Sequence, residues 1–421
     1  GFAFMGRQYH IEVSGDDYYI DMLMYDSDVE ITTIDGKSIV CIHVPQADWR
    51  MKPVFLNENP YKGSFKRNHE GDYHCTEMEV RAMIRDANED GNDGGLLDAF
   101  TLDDIDTNTL HGYRNQFRIL NADHDWNDKD DKEFLRLLGG YTKNRQTGKE
   151  GLTVAGLMMF GTGLAIRERF GNFRMDYLDM SHLEGEERYR DRLTYDGRWE
   201  NNLYQFFRIV MPKLTFDLPH PFHLEGYQRV DDTPQMKAVR EGFTNSIIHS
   251  DLFLDSGILR IEKHDDCLCL RNPGNLKLPI ENIYEGGVSK ARNPRIQNML
   301  RMIGYGENIG SGFPKIISAW QKAGWGKPEL IDKYELQEVE LRLPIPNETG
   351  GQTGGQTGSP KTIEKVFELI KDNPYITRQE LVDKIGIKAS AIQKHIEKLK
   401  AQKRIERVGS STFGGHWDIK E

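Results

Sequence analysis

The sequence predicts an α+β chain of several domains, and three observations predict it. Segments with an apolar period of two alternate with segments of period 3.6. The low-complexity stretch "NETGGQTGGQTGSP", residues 347–360, cannot bury a core and reads as a flexible linker between a long body and a short end. The body carries glycine-rich loops after a helix with a polar stripe. The 421 residues leave room for about two to four domains, at roughly 100–200 residues each.

Composition narrows the function classes. Hydrophobic residues make up 38% and charged residues 29%, the balance of a soluble globular chain. No run of about 20 apolar residues is present, so no membrane-spanning helix is expected. No secretory signal is read at the start. The opening "GFAFMGRQYHIEV" reads as a tag scar or as a chain that begins mid-domain. Cys41, Cys75, Cys267 and Cys269 do not form a disulfide framework, which makes the cytoplasm the expected compartment. Cys267 and Cys269 share one face of a strand, a core position rather than a metal site. Net charge is −11, which argues against wholesale coating of nucleic acid. Residues 361–421 hold 13 Lys and Arg against 9 Asp and Glu, a balance of +4, so the other 360 residues carry −15. That asymmetry points to local contact with nucleic acid at the C-terminal end.

The elements follow in order. "DVEITTIDGKSIVCIHVP" alternates around Asp35-Gly36 and predicts a hairpin. "KPVFL" and "GSFKRN" read as short strands, with Lys52, Lys62, Lys66 and Arg67 either contacting nucleic acid or forming a solvated face. "CTEMEVRAMIRDAN" is a helix opened by a Thr76–Glu79 capping box. Residues 101–118, "DKEFLRLLGG" with its glycine stop, and "GLTVAGLMMFG" are helical, and residues 171–215 mix strand and helix.

"REGFTNSIIHSD", residues 240–251, is the informative helix. Glu241, Asn245 and His249 step by four and stack on one face, while Val239, Phe243 and Ile247 step by four on the other. A carboxylate, an amide and an imidazole in one stripe make either a ligand site or a buried polar network. His249 with Asp251 is also readable as a helix-end hydrogen bond. The hairpin "ILRIEKHDDCLCLRNPG" follows, turning near Asp265-Asp266. Then come "NPGNL", "GGVSKARNP" and "GENIGSGFPKI". Glycines let backbone approach phosphates, and Gly310-Ser311-Gly312 opens a helix whose N-terminus favours anions. Lys290, Arg292 and Lys315 are available to add positive charge.

The C-terminal 60 or so residues form a unit of their own. A helix at 362–372 buries Ile363, Phe367 and Ile370. Thr377 and Glu380 box the start of a second helix carrying Leu381, Val382 and Ile385, and Gly386 makes the turn. "KASAIQKHIEKLKAQ" buries Ile392, Ile396 and Leu399 and exposes Lys388, Ser390, Gln393, Lys394 and Lys398. "KRIERVGSSTFGGHWDI" supplies two strands and a turn. The set resembles the winged helix-turn-helix class, whose third helix enters the major groove. A protein-docking or dimerising winged helix is the other reading. Lys388 stands where a capping Ser is common, trading an N-cap for a cation near the phosphates.

Glu241-x-x-x-Asn245 resembles the N-box of the GHKL ATPase superfamily, where the Glu activates water and the Asn holds Mg²⁺. With "GDYHCTEMEVRAMIRDA", "LTVAGLMMFG", "NPGNL", "GGVSKARNPRIQNMLRMIGYGENIGSGFPKI" and the GGQT linker, nearly the whole chain resembles the RecG-related bacterial transcriptional regulators. Their architecture joins a Schlafen-type AlbA-like domain, a GHKL-like α/β sandwich and a C-terminal winged helix. The resemblance implies a partial AlbA-like domain at 1–95, a connecting region at 96–230, a GHKL-like domain at 231–346, the linker, and the winged helix at 361–421. It implies ATP and Mg²⁺ as cofactors, with Glu241 catalytic, Asn245 on the metal, and His249, Asn272, Gly274, Gly286, Gly287, Gly310, Ser311 and Gly312 around the nucleotide. It implies DNA and a nucleotide as partners, and a homo-oligomer. Two departures stand out. Asn272 occupies the place of the adenine-reading Asp, so ATP binding with weak or absent hydrolysis is expected. The glycine-rich, acidic start of the AlbA-like domain is missing. No Walker A motif is present, so helicase activity does not follow. The function expected is a DNA-binding regulator, with a GHKL-type ATPase acting in nucleic-acid processing as the alternative.

Overall fold

The computed structural model describes residues 47–68, 71–216, 218, 233–255, 257–306, 312–346, 366–371, 373–385, 389–401, 404–408 and 416–420, together with strand pieces before residue 44 and at 224–225 and 228–229. Two units are present, Gly1–Asn347 and Glu348–Glu421.

A six-stranded sheet organises the first unit, in the order Asp191–Leu193, Arg174–Asp179, Ile258–Lys263, Cys267–Pro273, Glu338–Pro344, Glu329–Lys333. Arg174–Asp179 runs parallel to Ile258–Lys263, and the other neighbours are antiparallel. The central hairpin forms as its alternation predicts, with Leu259, Ile261, Leu268 and Leu270 fully buried. Arg271 faces Glu262 at 3.2 Å and Glu340 at 3.1 Å. Cys269 is buried beside the partly buried Cys267, Sγ to Sγ 3.7 Å. Among the described residues no cluster of three or more metal-ligating side chains occurs.

Helices pack on this sheet through the faces the periodicity assigns. The helix Pro234–Ile248 starts because Thr233 accepts from Met236 N and proline sits in its first turn. Val239, Phe243 and Ile247 are fully buried, each contributing about 1.5–3 kcal/mol of transfer free energy. The Thr76–Glu79 capping box opens Glu77–Asp86, and Gly139 in left-handed conformation ends Asp131–Leu138. Val154–Phe160 is buried throughout. No described helix is long and apolar enough to cross a membrane.

Two local expectations fail. "KPVFL" is not a strand; only Phe55 bridges to Ser64. Lys66 does not lie on a solvated or nucleic-acid face. Its ammonium is held between Glu79 and Glu335, both at 2.8 Å, which raises its pKa.

In the second unit, residues 366–371, Arg378–Ile385 and Ala389–Ala401 are helical, and Ile405–Val408 pairs antiparallel with His416–Ile419. Val366, Ile370, Leu381, Ile392, Ile396, Leu399 and Ile405 form its core. The Thr377–Glu380 capping box is present.

Candidate functional site

The polar stripe of the Pro234–Ile248 helix lines a cavity of about 130 Å³. Glu241 and Asn245 come from that helix and His249 from its C-terminal cap, Asn272 from the end of the Cys267–Pro273 strand, and Gly312 from the first residue of the Gly312–Ala323 helix. Asn245 Nδ2 donates to Glu241 Oε1 at 3.3 Å. Gly312 closes on this pair: a Cβ there would sit 2.3 Å from Glu241 Oε1 and 3.2 Å from Asn245 Nδ2. Glycine is therefore what lets the helix start meet the carboxylate and the amide. Ile283, Phe313, Ile316, Leu330 and Val339 supply apolar wall.

The other end of the cavity is basic. Lys277 and Lys290 line it with Arg292. Burial, then Arg292 and Lys277, push the His249 imidazole down to about 4, so the ring is neutral near pH 7. Its backbone carbonyl accepts from Arg292 Nη1 at 2.8 Å. Asp251 does not serve His249: it accepts from Arg85 at 2.6 Å and from the Phe253 amide at 3.0 Å.

Arg292 is a structural tie rather than a free cation. It is 3% exposed, binds Asp86 through two nitrogens at 2.7 Å each, and also donates to Asn275 O at 2.5 Å. Asn293 donates to Ile247 O and Ser250 O. Together the two residues satisfy carbonyls that the end of the site helix leaves unpaired, and they place positive charge at its negative pole. Gly274, with φ +100°, passes against this tie; a Cβ would lie 3.0 Å from the Arg292 guanidinium. It is not a lining residue of the cavity. Gly286 ends the helix Ile280–Glu285, and Gly287 follows, leading into the lining residues Val288, Ser289 and Lys290. Gly310 and Ser311 lie outside the described residues, and Lys315 is not among those lining the cavity.

On the C-terminal unit, Lys394 and Lys398 are exposed on the third helix. Gln393 is half-buried, its Nε2 donating to Glu397 at 2.8 Å. Lys388 and the side chain of Ser390 lie outside the described residues.

Comparison with known proteins bears on both units. Residues 258–341 match the family described as "Putative ATP-dependent DNA helicase recG C-terminal". Residues 360–406 match winged helix-turn-helix DNA-binding domains. The chain carries a RecG C-terminal-like, ATPase-type domain and a winged helix. Residues 81–176 match a domain family of unknown function, DUF8451. No curated protein matches. A solved structure, the DIP2311 protein from Corynebacterium diphtheriae, is similar at 18% identity and TM-score 0.45, over 94% of this chain and 76% of that one. The RecG-like match covers Asn272 and the glycine loops and begins after the helix bearing Glu241, Asn245 and His249.

Lys277 is the charged lining residue that sequence reasoning missed; Ser246, Asn275, Ser289 and Gln297 also line the cavity without having been singled out. The signal for Lys277 was present, a single lysine between Leu276 and Leu278 directly after the "NPGN" turn.

Proposed function

We propose that the protein is a DNA-binding transcriptional regulator whose RecG C-terminal-like domain binds ATP with Mg²⁺ and hydrolyses it weakly or not at all. The observation that carries the reading is the convergence of Glu241, Asn245, His249, Asn272 and Gly312 on one cavity, in a chain that ends in a winged helix. The residues fit the cofactor. Asn245 spends an N–H on Glu241, which leaves its amide oxygen for a hard cation. Mg²⁺ would supply positive charge to the phosphates. Asn272 can accept from an adenine amine without adding charge. A homo-oligomer would present paired winged helices to paired half-sites. The Glu241 carboxylate, in place beside Asn245, favours a second reading as an ATPase in nucleic-acid processing.

Thermal unfolding tests the first reading. Mg²⁺-ATP far above its dissociation constant is expected to stabilise wild type by about 2–4 kcal/mol, and Asn245→Ala to abolish that shift. No shift in wild type at millimolar ATP removes the nucleotide from the proposal. Measurable turnover that Glu241→Ala abolishes would instead establish the ATPase.

DNA binding is tested on the third helix. Lys394→Ala is expected to weaken binding across sequences and to flatten the log K against log salt slope by about 0.9. Gln393→Ala, which removes an amide now held by Glu397, is expected to relax sequence preference instead. Unchanged salt slope and preference in both variants would make this a protein-docking winged helix.

A further inference from the structure

Lys277 is 9% exposed and lines the cavity. Among the described residues it makes no ion pair or hydrogen bond; its ammonium rests 4.0 Å from the centre of the Trp49 ring. The groups around it do not supply a counter-charge. Asp86 is the acid whose charge acts on it, and both of its oxygens are bound by Arg292. Arg292 and Lys290 repel it, and the adjoining His249 is neutral. A buried ammonium whose partner is an aromatic face and not an anion is costly, and the rule for buried charge is that an opposite charge pairs with it. A lysine serving only to pack between Leu276 and Leu278 would be better replaced by an apolar side chain of the same length.

We infer that Lys277 is the anion-receiving group of the cavity and that a phosphate group of the ligand supplies its missing counter-charge. This rests on the reading of the cavity as a nucleotide site. Phosphate fits better than a single carboxylate because it carries more than one charge, and two cations, Lys277 and Lys290, border the same space. The phosphate belongs either to a nucleotide's chain or to a free inorganic anion, and the two sources are separable. Burial lowers the Lys277 pKa to about 8, so the ammonium form dominates at pH 7 and is mostly lost by pH 9.

The test is calorimetric titration of the full chain with ATP and Mg²⁺, and separately with inorganic pyrophosphate, at pH 7 and pH 9. Wild type, Lys277→Met and Lys277→Arg are compared. Wild-type affinity for ATP is expected to fall about tenfold from pH 7 to pH 9, as the ammonium is lost. Lys277→Met is expected to bind at least about tenfold more weakly at pH 7 and to show no such fall. Lys277→Arg is expected to hold the pH 7 affinity without the pH dependence. ATP binding that ignores both the methionine variant and the pH overturns the role of Lys277 and leaves the nucleotide reading standing. Pyrophosphate binding that needs Lys277, with no ATP binding, keeps the anion site and overturns the nucleotide. Binding of neither overturns both. Ligand-free Lys277→Met is expected to melt at or above the wild-type temperature, because an unpaired buried charge is gone. A fall of several degrees would mark Lys277 as a structural prop on Trp49 and overturn the inference.

Discussion

Replacing Arg292 with methionine is expected to destabilise the Gly1–Asn347 unit by about 3–5 kcal/mol, the range for breaking a buried ion pair from one side. The guanidinium is 3% exposed and serves Asp86, His249 O and Asn275 O at once. Methionine fills much of the volume but leaves one carboxylate and two carbonyls without donors. Urea unfolding followed by tryptophan fluorescence measures the loss. The double variant Asp86→Asn, Arg292→Met is expected to be less destabilised than the sum of the single changes, because the isolated carboxylate is removed. A single-variant loss within about 1 kcal/mol, inside the range of an ordinary surface change, would show that the tie is not what holds these segments together.

Gly312→Ala is expected to leave the fold intact and remove nucleotide binding. The added methyl would meet Glu241 Oε1 at 2.3 Å. That oxygen ends a rotatable side chain, so it can swing aside, and alanine favours a helix over glycine by about 1 kcal/mol. Ligand-free stability should therefore stay within about 1 kcal/mol of wild type. The displaced carboxylate no longer meets Asn245 at 3.3 Å, and the stabilisation of about 2–4 kcal/mol expected from saturating Mg²⁺-ATP should vanish. Undiminished stabilisation in this variant would separate the ligand from the Glu241–Asn245 end of the cavity. Loss of the fold would show that the Glu241 side chain cannot move.

These expectations differ in how far a sequence reader could have reached them. Steps of four put Glu241, Asn245 and His249 on one face and Val239, Phe243 and Ile247 on the other, and the helix turns both faces as that spacing requires. The capping boxes at Thr76 and Thr377 and the glycine stop at Gly139 were legible for the same reason: each is a contact within about one turn of chain. The failures are also of one kind. Lys66 looked like a surface cation because both of its partners lie beyond one turn of chain, Glu79 at 13 residues and Glu335 at 269. "KPVFL" had strand composition, but only Phe55 finds a bridging partner.

The sequence by itself determined the helices and hairpins, the polar stripe, the change of charge near residue 360 and the winged-helix pattern. All of these rest on short-range spacing or on composition. Only the tertiary structure decided which cations are committed and which are available. Arg292 meets Asp86 across 206 residues, and Lys277 meets Trp49, from a different part of the chain, instead of a carboxylate. The physical reason is that burial and pairing of a charge depend on which distant segments the fold brings beside it, and side-chain periodicity carries no record of that.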